Sequence, residues 1–242
     1  MERLTLVVLV LAGIAMVLGG WYLYAYTDLL ASPPTNVTCN ELMRGDSSGV
    51  HLLFFGNKEA VQRYTDALLQ VEPFNQFKSS FSVSYINSYE PNCELYQGIA
   101  LLCHTRELVR VASACEHDYI IVLRAESASI RSSSFAKTLS INTNHQASVI
   151  AHEFGHAFAH FAEEYTPADL PSSQPNCKSA CALFGQAQCY QGCSDSSYFR
   201  SSDAGLMRTL SAQNYGDWNT HYLEGLLTKK SSALTGHAID AS

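Results

Sequence analysis

From residue 48 to about 228 the apolar positions switch between runs, two-residue alternation and helical stripes, and this pattern predicts an α/β domain. Val50 to Phe55 is an apolar run closed by Gly56, the pattern of a strand buried on both faces. Lys58 to Val71 places Ala60, Val61, Tyr64, Ala67, Leu68 and Val71 on one helical stripe, which Glu72-Pro73 ends. Phe81 to Ile86 sets Phe81, Val83 and Tyr85 against Ser82 and Ser84, a strand. Leu101 to Cys115 reads as a second helix and Tyr119 to Leu123 as a short buried strand. Ala136 to Thr143 alternates, with Leu139 and Ile141 on one side, and predicts an edge strand. Ala147 to Phe161 is a helix that Asn142, Thr143 or Asn144 can cap, and Trp218 to Leu227 is a final helix.

The N-terminus breaks this pattern. Leu4 to Tyr26 contains no charged residue and would form a helix of roughly 34 Å, enough to cross a hydrocarbon core of about 30 Å. Trp21, Tyr22, Tyr24 and Tyr26 cluster at its far end like an interfacial belt. The apolar stretch is longer than that of a cleaved signal peptide, so residues 1–27 are expected to be a transmembrane anchor in contact with membrane lipid. Arg3 before it and Asp28 after it put the N-terminus in the cytoplasm and the C-terminal bulk outside. Residues 28–47, with Pro33-Pro34, read as a stalk, 48–228 as one domain, and 229–242 as a flexible tail. A net charge of -7 excludes nucleic acid as the main partner.

The eight cysteines fit an extracytoplasmic location, where an even count reads as a disulfide framework. Cys177, Cys181, Cys189 and Cys193 form two pairs at i, i+4. On two short antiparallel helices they would nest, Cys177 with Cys193 and Cys181 with Cys189, a pairing favoured over a four-thiolate zinc site. This disulfide-rich insert spans 171–200. A Cys93–Cys103 bridge would leave Cys39 for Cys115. Asn36-Val37-Thr38 is a glycosylation acceptor pattern.

The chemistry lies in His152-Glu153-Phe154-Gly155-His156. Two histidines one helical turn apart can both reach one Zn2+ ion, and the glutamate between them can act as base toward the water that attacks a scissile carbonyl. Ile150, Phe154, Ala157 and Phe161 fall on one stripe, with His152 and His156 roughly opposite, so the helix would bury its aromatics and turn its histidines to a cleft. A catalytic zinc takes a third protein ligand, and the candidates are Glu163, Glu164 and His160. His160 would lie roughly 12 Å along an unbroken helix from His152. A helix stopping near Ala159 would bring Glu163 back to the metal, which makes Glu163 the favoured ligand.

Residues 152–165, His-Glu-Phe-Gly-His-Ala-Phe-Ala-His-Phe-Ala-Glu-Glu-Tyr, resemble the IgA-peptidase-like family of metzincin-type zinc peptidases. The resemblance implies a metzincin-like α/β (α+β) catalytic domain: a twisted mixed sheet with an antiparallel edge strand along the cleft, and an active-site helix. It implies His152, His156 and an acidic residue as zinc ligands, Glu153 as base, and a methionine turn under the metal, for which Met207 is the match. The sequence departs from metzincins at Ala159, where they carry Gly, and at Ala162, where they carry a ligand His or Asp. The implied function is a membrane-anchored zinc endopeptidase acting on extracytoplasmic proteins or peptides. The alternatives are a zinc-stabilised binding module without catalysis and an amidase of cell-envelope peptides.

Overall fold

The computed structural model describes residues 37–170 and 174–232, with Gly13, Ile14, Met16, Val17, Gly19 and Gly20 of the N-terminal segment, which are helical. The chain divides into a short unit, Met1–Thr35, and a domain, Asn36–Ser242. Among the described residues no helix is long and apolar enough to cross a membrane. Most of the predicted span, residues 28–36 with the acceptor Asn36, and residues 233–242 lie outside the described residues.

The domain is mixed α/β, built on a six-stranded sheet of order β1-β3-β2-β6-β8-β7. Its strands are β1 (Asn40–Met43), β2 (Val50–Phe55), β3 (Phe81–Ile86), β6 (Tyr119–Arg124), β7 (Ser133–Phe135) and β8 (Thr138–Asn142). The four inner strands are mutually parallel, whereas β1 and β7 run antiparallel on the two edges. Inner strands are covered on both faces, which is why Val50–Phe55 and Tyr119–Arg124 carry apolar residues with little alternation. Along β2 the pleat sends Leu52 and Phe54 to one core and Leu53 and Phe55 to the other.

The first core is closed by three helices: α1 (Lys58–Leu69), α3 (Val149–Ala159) and α4 (Asp217–Ser232). The second is closed by α2 (Arg106–Ala112) and the hairpin of β4 (Glu94–Tyr96) and β5 (Ala100–Leu102). The Leu101–Cys115 segment is therefore not one helix: Leu101 and Leu102 end strand β5, and only Arg106–Ala112 are helical. Thr105 caps α2 by accepting from Leu108 N–H at 3.1 Å, so the helix begins only after it. Residues 40–43, expected in the stalk, instead pair with β3, and Cys39–Cys115 ties them down. Residues 229–232, expected in the tail, continue α4, where Lys230 Nζ donates to Asp118 Oδ2 at 2.7 Å.

The alternating segment predicted as an edge strand is not at the edge. β8 lies between β6 and β7, and the edge is β7, which reverses into β8 through Ala136 and Lys137, both left-handed (φ 47° and 65°). The polar side of β8 misleads because it too is buried. Ser140 Oγ accepts from Cys103 N–H at 2.9 Å, Thr138 Oγ1 is 2.9 Å from His104 Nδ1, and Asn142 Nδ2 donates to the Ile130 carbonyl at 2.7 Å.

The disulfides are Cys177–Cys193 and Cys181–Cys189, nested as the spacing suggested, Cys93–Cys103, the local bridge, and Cys39–Cys115, the two that it left over. The nested pairs do not sit on two helices. They join a short 3-10 turn, Cys181–Phe184, and its approach to a hairpin of β9 (Tyr190–Cys193) and β10 (Asp195–Arg200).

Candidate metal centre

Helix α3 is fixed from its apolar side. Phe154 is fully buried, with ring centroids 5.3 Å from Phe74, 5.2 Å from Tyr119 and 5.2 Å from Phe158. Its N-cap is Ser148, which makes no side-chain cap; Asn142, expected there, is committed to β8 and its loop. The opposite side carries His152 and His156. The helix ends where His160 adopts the left-handed conformation (φ 54°, ψ 33°). A residue with a Cβ is strained there, and Ala159 is the last helical residue, so the helix stops where expected.

This turn does two things. It aims Glu163 at the histidines, and it brings the Phe161 carbonyl 2.6 Å from His156 Nδ1. His152 Nδ1 is similarly 2.7 Å from the Leu206 carbonyl. A carbonyl oxygen only accepts, so each Nδ1 carries the proton and each Nε2 presents a lone pair. The two Nε2 atoms are 3.2 Å apart, and the Glu163 carboxylate oxygens lie 3.3 Å from each. Glu163 Oε2 is buried and faces His152 Nε2.

These acceptors converge with no donor among them, an arrangement that requires positive charge at its centre. His152, His156 and Glu163 could hold a metal ion. Two imidazoles and a carboxylate are a donor set that zinc accepts, and tetrahedral bonds near 2.0–2.1 Å would set ligand atoms about 3.4 Å apart. The two Nε2 atoms, 3.2 Å apart, each face a different oxygen of Glu163 at 3.3 Å, and one ligand atom from each residue lies within 4.8 Å of the others, which is compatible with a shared ion. The site is also accessible, because the His156 and Glu163 side chains each keep 22% of their surface exposed.

Without a metal, a proton serves instead. Burial alone would push His152 down, but the hydrogen bond and charge of Glu163, with Glu153 and the Leu206 carbonyl, lift it to about 9. Against the upward push of burial, the two imidazoles hold Glu163 well below the usual carboxylate range. Glu153 is buried next to His152, and burial raises its pKa against the charges of His152 and His156. Tyr165 borders the cluster, its hydroxyl raised to about 12 by burial and by Glu163.

The remaining candidates have other places. His160 is the exposed turn residue. Glu164 is turned away from the histidines. It is fully buried, its Oε1 accepts from Asn219 and Asn176 at 2.8 and 3.1 Å, and burial lifts its pKa to about 7 against those hydrogen bonds. Met207 is fully buried beneath α3, its carbonyl accepting from Glu164 N–H at 2.8 Å. Ala162 packs in a small buried cluster with Cys177 and Cys193. Sequence reasoning missed Gly155, where a Cβ would lie 2.7 Å from Met207 Sδ and 3.0 Å from Tyr215 Cε1. It also missed Asn176, Ser194 and Tyr215, which lie far along the chain and belong to no motif. The two carbonyls that fix the imidazoles carry no side-chain signal at all.

No protein-family model matches the chain, and no curated protein matches it significantly.

Proposed function

We propose that the chain is a zinc metalloendopeptidase of metzincin type, akin to the IgA-peptidase-like family, anchored in the membrane by its N-terminal segment with the catalytic domain outside the cytoplasm. The observation that carries this reading is the convergence of two Nε2 lone pairs and a carboxylate at 3.2–3.3 Å, with Glu153 buried beside them. Bound zinc would polarise a scissile carbonyl and acidify the attacking water toward a pKa of about 7.

The chain's own groups supply the rest. Glu153 takes the proton from the attacking water and returns it to the leaving amine. Its buried position, which raises its pKa, favours that return. The Leu206 and Phe161 carbonyls keep both imidazoles in the ligating tautomer. β7 ends the six-stranded sheet and packs beside α3, so an extended peptide would add along Ser133–Phe135 through backbone hydrogen bonds, next to the point where Arg131 bridges Ala100. Four disulfides suit an oxidising compartment. In the N-terminal segment Ile14, Met16 and Val17 are exposed on helix, as lipid contact requires.

The decisive variant is Glu153→Gln in the full chain, assayed on a quenched-fluorescent peptide library alongside metal content. Hydrolysis should fall by about 10²–10⁴-fold with one zinc still bound per chain. Undiminished cleavage by this variant would remove Glu153 from the mechanism.

A further inference from the structure

The stretch that carries Glu163 has no regular secondary structure. A glutamate on an irregular loop would ordinarily sample many rotamers and would lose that freedom on binding a metal. Here the loop is held by residues distant in sequence. Asn176 is fully buried and uses both ends of its amide. Its Oδ1 accepts from Ala162 N–H at 2.7 Å, and its Nδ2 donates to the Ala162 carbonyl at 2.9 Å and to Glu164 Oε1 at 3.1 Å. Ser194 Oγ donates to the Glu163 carbonyl at 2.8 Å. The Met207 carbonyl takes the Glu164 N–H at 2.8 Å.

The Cys177–Cys193 bridge joins the residue after Asn176 to the residue before Ser194, with the two Cα atoms 5.5 Å apart, and so holds both at the loop. The two sulfurs also pack 3.8 and 3.9 Å from the Glu163 carbonyl oxygen. Bridged sulfurs carry no proton, so these are packing contacts. Ala162 fills the space against the bridge.

We propose that the cysteine insert is a positioning frame for the third metal ligand: Asn176 and Ser194, both tied to the loop by the Cys177–Cys193 bridge, hold residues 162–164 so that Glu163 faces His152 and His156 before the metal arrives. The inference rests on the metal-centre reading above. Asn176 and Ser194 are positioning residues that act only through Glu163. Supporting contacts of this kind typically govern 10–100-fold in metal affinity, and the gain comes from ordering the ligand in advance.

The test is a double-mutant cycle on the full chain, read by Zn2+ affinity against a competing chelator and by the visible spectrum of the Co2+ form. Circular dichroism and thiol titration confirm that each variant is folded with its bridges intact. Asn176→Ala should weaken Zn2+ about 10–100-fold and shift the Co2+ spectrum toward that of Glu163→Ala. In the Glu163→Ala background, Asn176→Ala should change the affinity less than twofold, because the group it positions has gone. Should Asn176→Ala not fold, Ser194→Gly runs the same cycle, since Ser194 is left-handed (φ 59°) and glycine fits there without strain. The proposal is overturned if folded single variants bind Zn2+ within twofold of wild type, or if the loss is equally large without Glu163. A wild type that binds no stoichiometric metal overturns the metal-centre reading itself, and the frame with it.

Discussion

The steric demand at Gly155 gives a sharp test of how the metal helix sits on the turn beneath it. Gly155→Ala places a methyl group 2.7 Å from Met207 Sδ and 3.0 Å from Tyr215 Cε1. Ordinary carbon contacts are about 3.5–4.0 Å, so something must move by roughly 1 Å. Met207 and Tyr215 are both fully buried, and the Tyr215 hydroxyl donates to the Ala151 carbonyl, so neither has free space to enter. Overpacking of this kind costs about 1–3 kcal/mol, while alanine in place of a helical glycine gains about 1 kcal/mol. Gly225 in α4 isolates the steric part, because a Cβ there meets nothing within 4 Å. Urea unfolding of the metal-stripped protein should show Gly225→Ala stabilised by up to about 1 kcal/mol and Gly155→Ala lower than it by about 1–3 kcal/mol. Because Leu206, which fixes His152, precedes Met207, the same variant should lose about tenfold in Zn2+ affinity. Equal stability of the two variants, with unchanged zinc binding in Gly155→Ala, would refute this packing argument.

Two further outcomes follow from charge. His152 is raised to about 9, so in the metal-free protein its pairing with Glu163 stabilises the fold fully below the unfolded value near 6.5 and is lost as pH rises through about 9. Zinc must displace that proton, so apparent affinity should rise about tenfold per pH unit between 7 and 9 with about one proton released per metal; calorimetry in buffers of different ionisation enthalpy measures this, and proton-free binding at pH 7 would refute it. For Asp118, burial pushes the pKa up, but hydrogen bonds from Lys230 and the His51 N–H bring it net below its ordinary value, so its contribution is complete above about 3.9 and fades as pH falls through the lowered value. Lys230→Met should therefore lose about 1 kcal/mol at pH 7 and almost none at pH 2 in chemical unfolding, and an equal loss at both would remove the ion pair as its cause.

What the sequence determined by itself is whatever local periodicity encodes. The buried strand Val50–Phe55, the strand Phe81–Ile86 and the helix carrying His152 and His156 were legible because side-chain period fixes both element type and buried face. Cysteine spacing pointed to the nested bridges, although the two antiparallel helices it suggested are a 3-10 turn and a hairpin. Tertiary structure decided the rest. β8 alternates like an edge strand, yet its polar face is buried under the β4–β5 hairpin, and only β7 shows where the sheet ends. Between Glu163 and Glu164 composition offers no choice. The left-handed turn at His160 sends the first to the imidazoles, and Asn176 and Asn219 draw the second into the interior. Those partners, and the carbonyls of Phe161 and Leu206, come from positions that only chain folding brings together, and a backbone carbonyl is the same for every residue.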